Sequence, residues 1–201
     1  MTTIRNRIAV AAVAVLLAAC ASKGVSTAQY DFGPLTPAGT PSAHAAGAII
    51  VADLTGPAAL DSEHMTYRLL YADARQQRPY AYNQWTSTPL QLLTQRIRAR
   101  MAQGGVQVLS TTDAAASPTV LRMEVEDFAQ NFDSAASSQG VLALRASVFR
   151  NHKLIGQKTF SRSMPAPSAD AAGGARALAD ATDAVAADLL AWLAALPPSR
   201  E

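Results

Sequence analysis

Thr119-Val120-Leu121-Arg122-Met123-Glu124-Val125-Glu126-Asp127-Phe128 decides the architecture. Leu121, Met123 and Val125 fall on one side of an extended chain, with Arg122, Glu124 and Glu126 on the other. This period of two predicts a strand with one face on a core and one face in water. Leu142, Leu144, Ala146 and Val148 repeat the pattern and predict the next strand. Asn151-His152 stands where a hairpin turn is needed, and Lys153 to Arg162 returns as the partner strand. A sheet wet on one side needs a cover for the other, and two helical stretches supply it.

The first stretch begins at Ser87 or Thr88, either of which can cap a helix, and Pro89 suits the first turn because its missing N–H has no partner there. Leu90, Leu93, Ile97 and Met101 recur at helical spacing, Arg96, Arg98 and Arg100 occupy other faces, and Gly104-Gly105 supplies a left-handed stop. The second runs from about Ala169 to Leu196, ahead of Pro197-Pro198, with Leu178, Val185, Leu189, Trp192 or Leu193, and Leu196 as its apolar stripe. Asp180, Asp183 and Asp188 lie off that stripe and argue against a membrane span, at about 2.5–3.5 kcal/mol each near the bilayer centre.

Upstream, Ile49-Ile50-Val51-Ala52 reads as a short buried strand, and Met65 to Tyr71 as a second. Residues 72 to 86 read as a polar connection containing Tyr80, Tyr82 and Trp85, and Val106 to Leu109 as another short strand. The predicted order is β-β-α-β-β-β-β-α. The fold class is α/β in the broad sense, more narrowly α+β: a mixed, mostly antiparallel sheet with two long helices packed on one face.

The amino terminus carries a different message. Arg5 and Arg7 precede an apolar run from Ile8 to Ala19, followed by Cys20. Twelve apolar residues at ~1.5 Å each span roughly 18 Å, short of the ~30 Å hydrocarbon core, so residues 1–19 read as a secretory leader. Leu17-Ala18-Ala19-Cys20 resembles the lipobox of bacterial lipoproteins, which implies lipid attachment at Cys20 and cleavage before it. Two or three acyl chains hold a protein stably at a bilayer, where one holds it only marginally. By resemblance to lipoprotein sorting rules, Ala21 rather than Asp after the cysteine favours the outer membrane.

Residues 20–47 are rich in Ala, Ser, Thr, Gly and Pro and read as a lipidated tether, the domain proper running over 48–197. Tyr30-Asp31-Phe32 is the exception: two aromatics on one side predict a short strand docked on the domain. Removing residues 1–19 takes away Arg5 and Arg7 and no acid, leaving fifteen Lys plus Arg against fifteen Asp plus Glu. A neutral mature chain has little long-range attraction for nucleic acid. Its single cysteine, once acylated, leaves no thiol for disulfide or nucleophilic chemistry.

Catalytic and metal motifs are absent from the sequence. There is no G-x-S-x-G elbow or S-x-x-K nucleophile, and His44, His64 and His152 form no H-x-x-x-H pair. Glu124 and Glu126 fit a solvated strand face, and Asp180, Asp183 and Asp188 lack the turn that gathers oxygens around calcium. Gly173-Gly174 lacks the further glycines and lysine of a phosphate cradle and fits close backbone packing or a flexible helix entry. Trp85 has two readings, a partner-binding anchor and a plug at the end of the core.

Several patterns then join in order: Leu60-Asp61 with Tyr67-Arg68, Trp85 with Thr88-Pro89 and Leu92-Leu93, and Leu121-Arg122 through Glu126-Asp127-Phe128. Asp170-Ala171-Ala172-Gly173-Gly174 with Ala177-Leu178 and the terminal helix complete the set. Over roughly residues 28–196 the chain resembles the ABC-type transport auxiliary lipoprotein family, the group containing PqiC. The resemblance implies a non-enzymatic component of an envelope system that moves phospholipids or other hydrophobic molecules. It also implies an MCE-type periplasm-spanning partner and, through it, a permease and an ATPase. It supplies no catalytic residues and no cofactor beyond the covalent lipid on Cys20, and it admits a homo-oligomer matched to a ring-shaped partner. The competing reading is an envelope scaffold or assembly lipoprotein that binds peptidoglycan or outer-membrane proteins.

Overall fold

The computed structural model describes residues 26–37, 48–113 and 119–197. Its strands are β1 (Ala28–Tyr30), β2 (Ile49–Val51), β3 (His64–Leu69), β4 (Asp73–Trp85), β5 (Val108–Leu109), β6 (Thr119–Ser134), β7 (Ser137–Arg150) and β8 (Lys153–Pro165). The helices are α1 (Pro89–Gln103) and α2 (Ala171–Ala194), and a 3-10 turn covers Ala58–Asp61. The mixed α+β class holds: the long pairings are antiparallel and account for most of the paired residues, and the parallel pairings are short.

β6 organises the sheet. β7 pairs with it antiparallel along nearly its whole length, and β8 pairs antiparallel with β7. The opposite edge of β6 is shared between two parallel neighbours, β2 at Thr119–Leu121 and β3 at Gln130–Phe132. Thr55 bridges the gap between them, donating its N–H to the Met123 carbonyl (3.1 Å) and accepting from the Val125 N–H (2.7 Å). β5 extends the sheet beyond β2, while β4 and then β1 extend it beyond β3.

A bulge between Val125 and Asp127 shifts the phase of β6. Leu121, Met123 and Val125 face the core before it; Phe128, Gln130 and Phe132 are buried after it. One extra residue on one strand does this because side chains alternate with a period of two. The alternation therefore outlasts the apolar run, and the β6–β7 hairpin is longer than its hydrophobic residues indicate.

Two expectations change. Residues 72 to 86 are not a connection: residues 73–85 form β4, a bulged partner of β3. Strand character was hidden because most of its side chains are exposed and no apolar alternation marks them. The ordered part of the domain also begins upstream of Ala48: the short docked strand expected at Tyr30-Asp31-Phe32 is present as β1, Ala28–Tyr30, with Phe32 in the core.

Helix ends follow their local chemistry. The Thr88 hydroxyl accepts from the Gln91 N–H at the start of α1, and Gly105, at φ +88°, turns the chain out of its end. Asp170 caps α2 by accepting from the Gly173 N–H at 2.7 Å. Asn151 and His152 both have positive φ (49° and 63°), as a two-residue type I′ hairpin requires.

α2 lies on the sheet through small residues. Gly140 of β7 faces the helix backbone so closely that a Cβ there would stand 2.6 Å from the Ala177 carbonyl carbon. Gly174 meets the Gln130 side chain, where a Cβ would fall 2.0 Å from Oε1. Gln130 is 1% exposed yet fully paired. Its Oε1 accepts from the Tyr80 hydroxyl (2.9 Å), and its Nε2 donates to Ser138 Oγ (2.8 Å) and the Asp170 carbonyl (3.0 Å). Burial, with Tyr67 and Asp170 nearby, pushes the Tyr80 phenol above its ordinary range, so it remains a donor.

Gly140→Ala should lower unfolding stability by about 3 kcal/mol, because the added methyl meets backbone that cannot rotate away. Gly156→Ala, whose Cβ meets the flexible tip of Leu196 at 3.0 Å, should cost far less. Urea denaturation of both variants checks the contrast.

Candidate functional site: the seat of the amino-terminal segment

The amino-terminal segment is built into the domain. β1 pairs parallel with the end of β4, matching Ala28 to Asn83 and Tyr30 to Trp85, and the Thr86 N–H donates to the Tyr30 carbonyl at 2.8 Å. Two residues on, Phe32 enters an aromatic cluster. Its ring stands edge-on to Trp85 at 5.7 Å and 6.1 Å from Phe128, and Trp85 lies 5.8 Å from Phe128. Trp85 is 2% exposed, so its indole serves the core and is not available to a partner.

Beyond Phe32 the chain turns at Gly33, whose φ of +66° lies in the left-handed region, and Asp31 Oδ1 accepts the Gly33 N–H at 2.7 Å. Arg96 and Arg100 of α1 then hold the segment. Arg96 Nη1 donates to the Gly33 carbonyl (3.0 Å), and Arg100 Nη1 donates to the Thr36 carbonyl (2.8 Å). Both guanidinium groups also grip Asp183 of α2. Arg96 donates through Nε at 2.7 Å and Nη2 at 2.8 Å, and Arg100 through Nε at 2.7 Å and through Nη2. One carboxylate thus joins two helices and, through the arginines, a third segment.

Burial alone would push the Asp183 carboxyl up, but hydrogen bonds and charge from Arg100 and Arg96 outweigh it and hold it below the ordinary carboxylate range. The arginine side chains are 8% and 13% exposed, so they have little water to fall back on. Clefts of about 550 Å³ and 360 Å³ flank the segment, one toward α2 and one toward α1.

The remaining residues singled out in the sequence fall into structural roles. Glu124 pairs with Arg145, Asp127 with Arg68 at 2.9 Å, and Asp188 with Arg162 at 2.6 Å. Asp180, Asp183 and Asp188 do not converge, and among the described residues no group of three or more His, Cys, Asp or Glu could hold a metal. His64 opens β3 and His152 sits in the β7–β8 turn, while Cys20, the leader and His44 lie outside the described residues. Gly173-Gly174 lies at the close approach of α2, not at a phosphate cradle. Sequence reasoning missed the Arg96–Asp183–Arg100 node. Its trace was there: two arginines four apart share one helix face, and an aspartate interrupts the middle of an apolar helix.

The chain matches the ABC-type transport auxiliary lipoprotein component family over residues 30–189. It belongs to that family. A crystal structure of an uncharacterised protein shares the fold with a TM-score of 0.68 at 16% identity, covering 83% of this chain and 98% of that one. A Xanthomonas campestris protein of the DUF330 family superposes with a TM-score of 0.62, also at 16% identity, covering 86% and 88%. No curated protein matches the chain. No described helix is long and apolar enough to cross a membrane. The class is therefore a lipoprotein component auxiliary to an ABC-type transport system.

Two perturbations test the seat. Phe32→Ala should destabilise the domain by about 3 kcal/mol by emptying the space between Trp85 and Phe128. Asp183→Asn should cost roughly 2–3 kcal/mol, somewhat below a fully buried pair because Asp183 retains 22% exposure. The folded carboxyl titrates below its unfolded value, so its stabilisation is complete above about pH 4 and is lost as pH falls through the folded value. The stability gap between wild type and Asp183→Asn should therefore be widest near neutrality and shrink in acid, as denaturation curves across pH would show.

Proposed function

We propose that the protein is a lipid-anchored, non-enzymatic docking component of an MCE/ABC-type intermembrane lipid transport system, at the periplasmic face of the outer membrane. The observation that carries this reading is the family match over residues 30–189 standing directly downstream of Leu17-Ala18-Ala19-Cys20. In this mechanism acyl chains on Cys20 fix the protein to the inner leaflet of the outer membrane. The domain receives the far end of an MCE-type periplasm-spanning protein, and ATP is hydrolysed elsewhere, by the ATPase beneath the permease.

The seat of the amino-terminal segment suits such a role. A load on the domain passes through β1, Phe32 and the Arg96–Asp183–Arg100 node to the chain that leads back to the anchor. The leash is short, because only eight steps of chain separate Cys20 from Ala28. A docking part needs that stiffness; a freely diffusing enzyme does not.

Growth of the producing bacterium with an alkyne fatty acid should label the wild-type protein and leave Cys20→Ser unlabelled and released from the membrane fraction. In-cell crosslinking should yield an MCE-type protein as the main adduct. Labelled protein that crosslinks to peptidoglycan or barrel proteins instead would favour the scaffold reading, and unlabelled wild-type protein would remove the anchor altogether.

A further inference from the structure

The proposed anchor fixes which end of the domain meets the membrane. β1 runs parallel to β4, so the chain upstream of Ala28 heads in the direction of the start of β4. That start adjoins the β3–β4 turn, Leu70-Tyr71-Ala72. His64 pairs with Gln84, beside the β1 register, and Leu69 stands five steps further along β3, about 17 Å away at ~3.4 Å per residue. The eight steps from Ala28 back to Cys20 reach about 28 Å when fully extended. An acylated Cys20 lying straight beyond this turn clears it by roughly 11 Å at most, only a few ångströms more than a headgroup layer of about 5–8 Å.

The surface at this end matches that placement. Leu70 and Tyr71 are adjacent and 37% and 53% exposed; among the described residues the other exposed large apolar side chains, Tyr82 and Leu154, stand singly. The Leu70 N–H donates to the Phe132 carbonyl (2.9 Å), which ties the turn to β6 just before the β6–β7 tip. That tip carries Ala135-Ala136, and Ala166 joins the same end by donating to the Ser138 carbonyl at 2.8 Å. The charges named here give no basic patch: Arg75 pairs with Asp73 at 3.3 Å, and Asp133, which accepts from the neutral Gln139 amide, leaves one negative charge. Charge attraction therefore plays no part here. Leu154, 54% exposed, lies beside the β7–β8 turn at the opposite end, where Arg150 pairs with Lys153 and Thr119.

We infer that the β3–β4 turn seats Leu70 and Tyr71 in the lipid interface beside the acylated Cys20, so that the bilayer holds the domain by two points and sets its orientation. The inference rests on the anchor proposed above. A Tyr whose ring is apolar and whose hydroxyl is polar suits the headgroup boundary, and Leu beside it adds apolar contact. The opposite end, with the β7–β8 turn, would then point into the periplasm.

The test uses the full lipidated protein in phosphatidylethanolamine–phosphatidylglycerol vesicles. Acylation consumes the only native thiol, so Tyr71→Cys and Leu154→Cys each accept a single nitroxide label. The expected result is a label at 71 shielded severalfold from a water-soluble nickel chelate and open to oxygen, with the label at 154 fully open to the chelate. Vesicle-bound, Cys20-acylated protein with both labels open to the chelate would overturn the inference and leave the anchor standing. Both labels shielded would also overturn it, because the contact would not be specific to the turn. A mass for Cys20 without acyl chains would overturn the anchor and the inference together.

Discussion

The structure depends most on one carboxylate. Asp183 accepts from Arg96 and Arg100 with both oxygens, and among the described residues neither guanidinium has another acid partner. The rigid forks of two arginines around one carboxylate fix the distance and rotation between α1 and α2 more tightly than apolar packing alone would. The N–H groups left over reach the Gly33 and Thr36 carbonyls. A single ionic node thereby places the helices over the sheet and closes the amino-terminal segment against them. Such a node carries more specificity than stability, because desolvating three charges offsets much of their mutual attraction.

Around that node the domain is assembled for close approach. Alanines and Gly140 let α2 settle onto β7 at backbone distance, and Gln130 of β6 fills the remaining polar requirement at the point where Gly174 leaves room. Among the described residues no buried side-chain polar atom is left without a partner.

What could be read from the chain divides along physical lines. Leu121, Met123, Val125, Leu142, Leu144, Ala146 and Val148 announced β6 and β7 because each sits in a half-buried strand with a clean period. The cap Thr88 and the positive-φ pair Asn151-His152 were legible because their constraints are local. β4 was not, since a bulged strand with mostly wet side chains, covered on its outer side only at its end by β1, has no apolar rhythm. Gln130 was not, because a buried amide is recognised only by partners from β4, β7 and the start of α2. Cys20 is a different case: its proposed lipid attachment rests on a contiguous motif and not on folding, and it lies outside the described residues.

The account stands on the claim that Ala28–Phe32 belongs to the rigid body and is not part of a loose tether. Amide hydrogen exchange of the full protein, read residue by residue, tests this most directly. The account predicts that the Gln29–Phe32 stretch exchanges as slowly as the neighbouring end of β4, opening only when the helices do. Exchange of that stretch at free-peptide rates, while β4 stays protected, would contradict it.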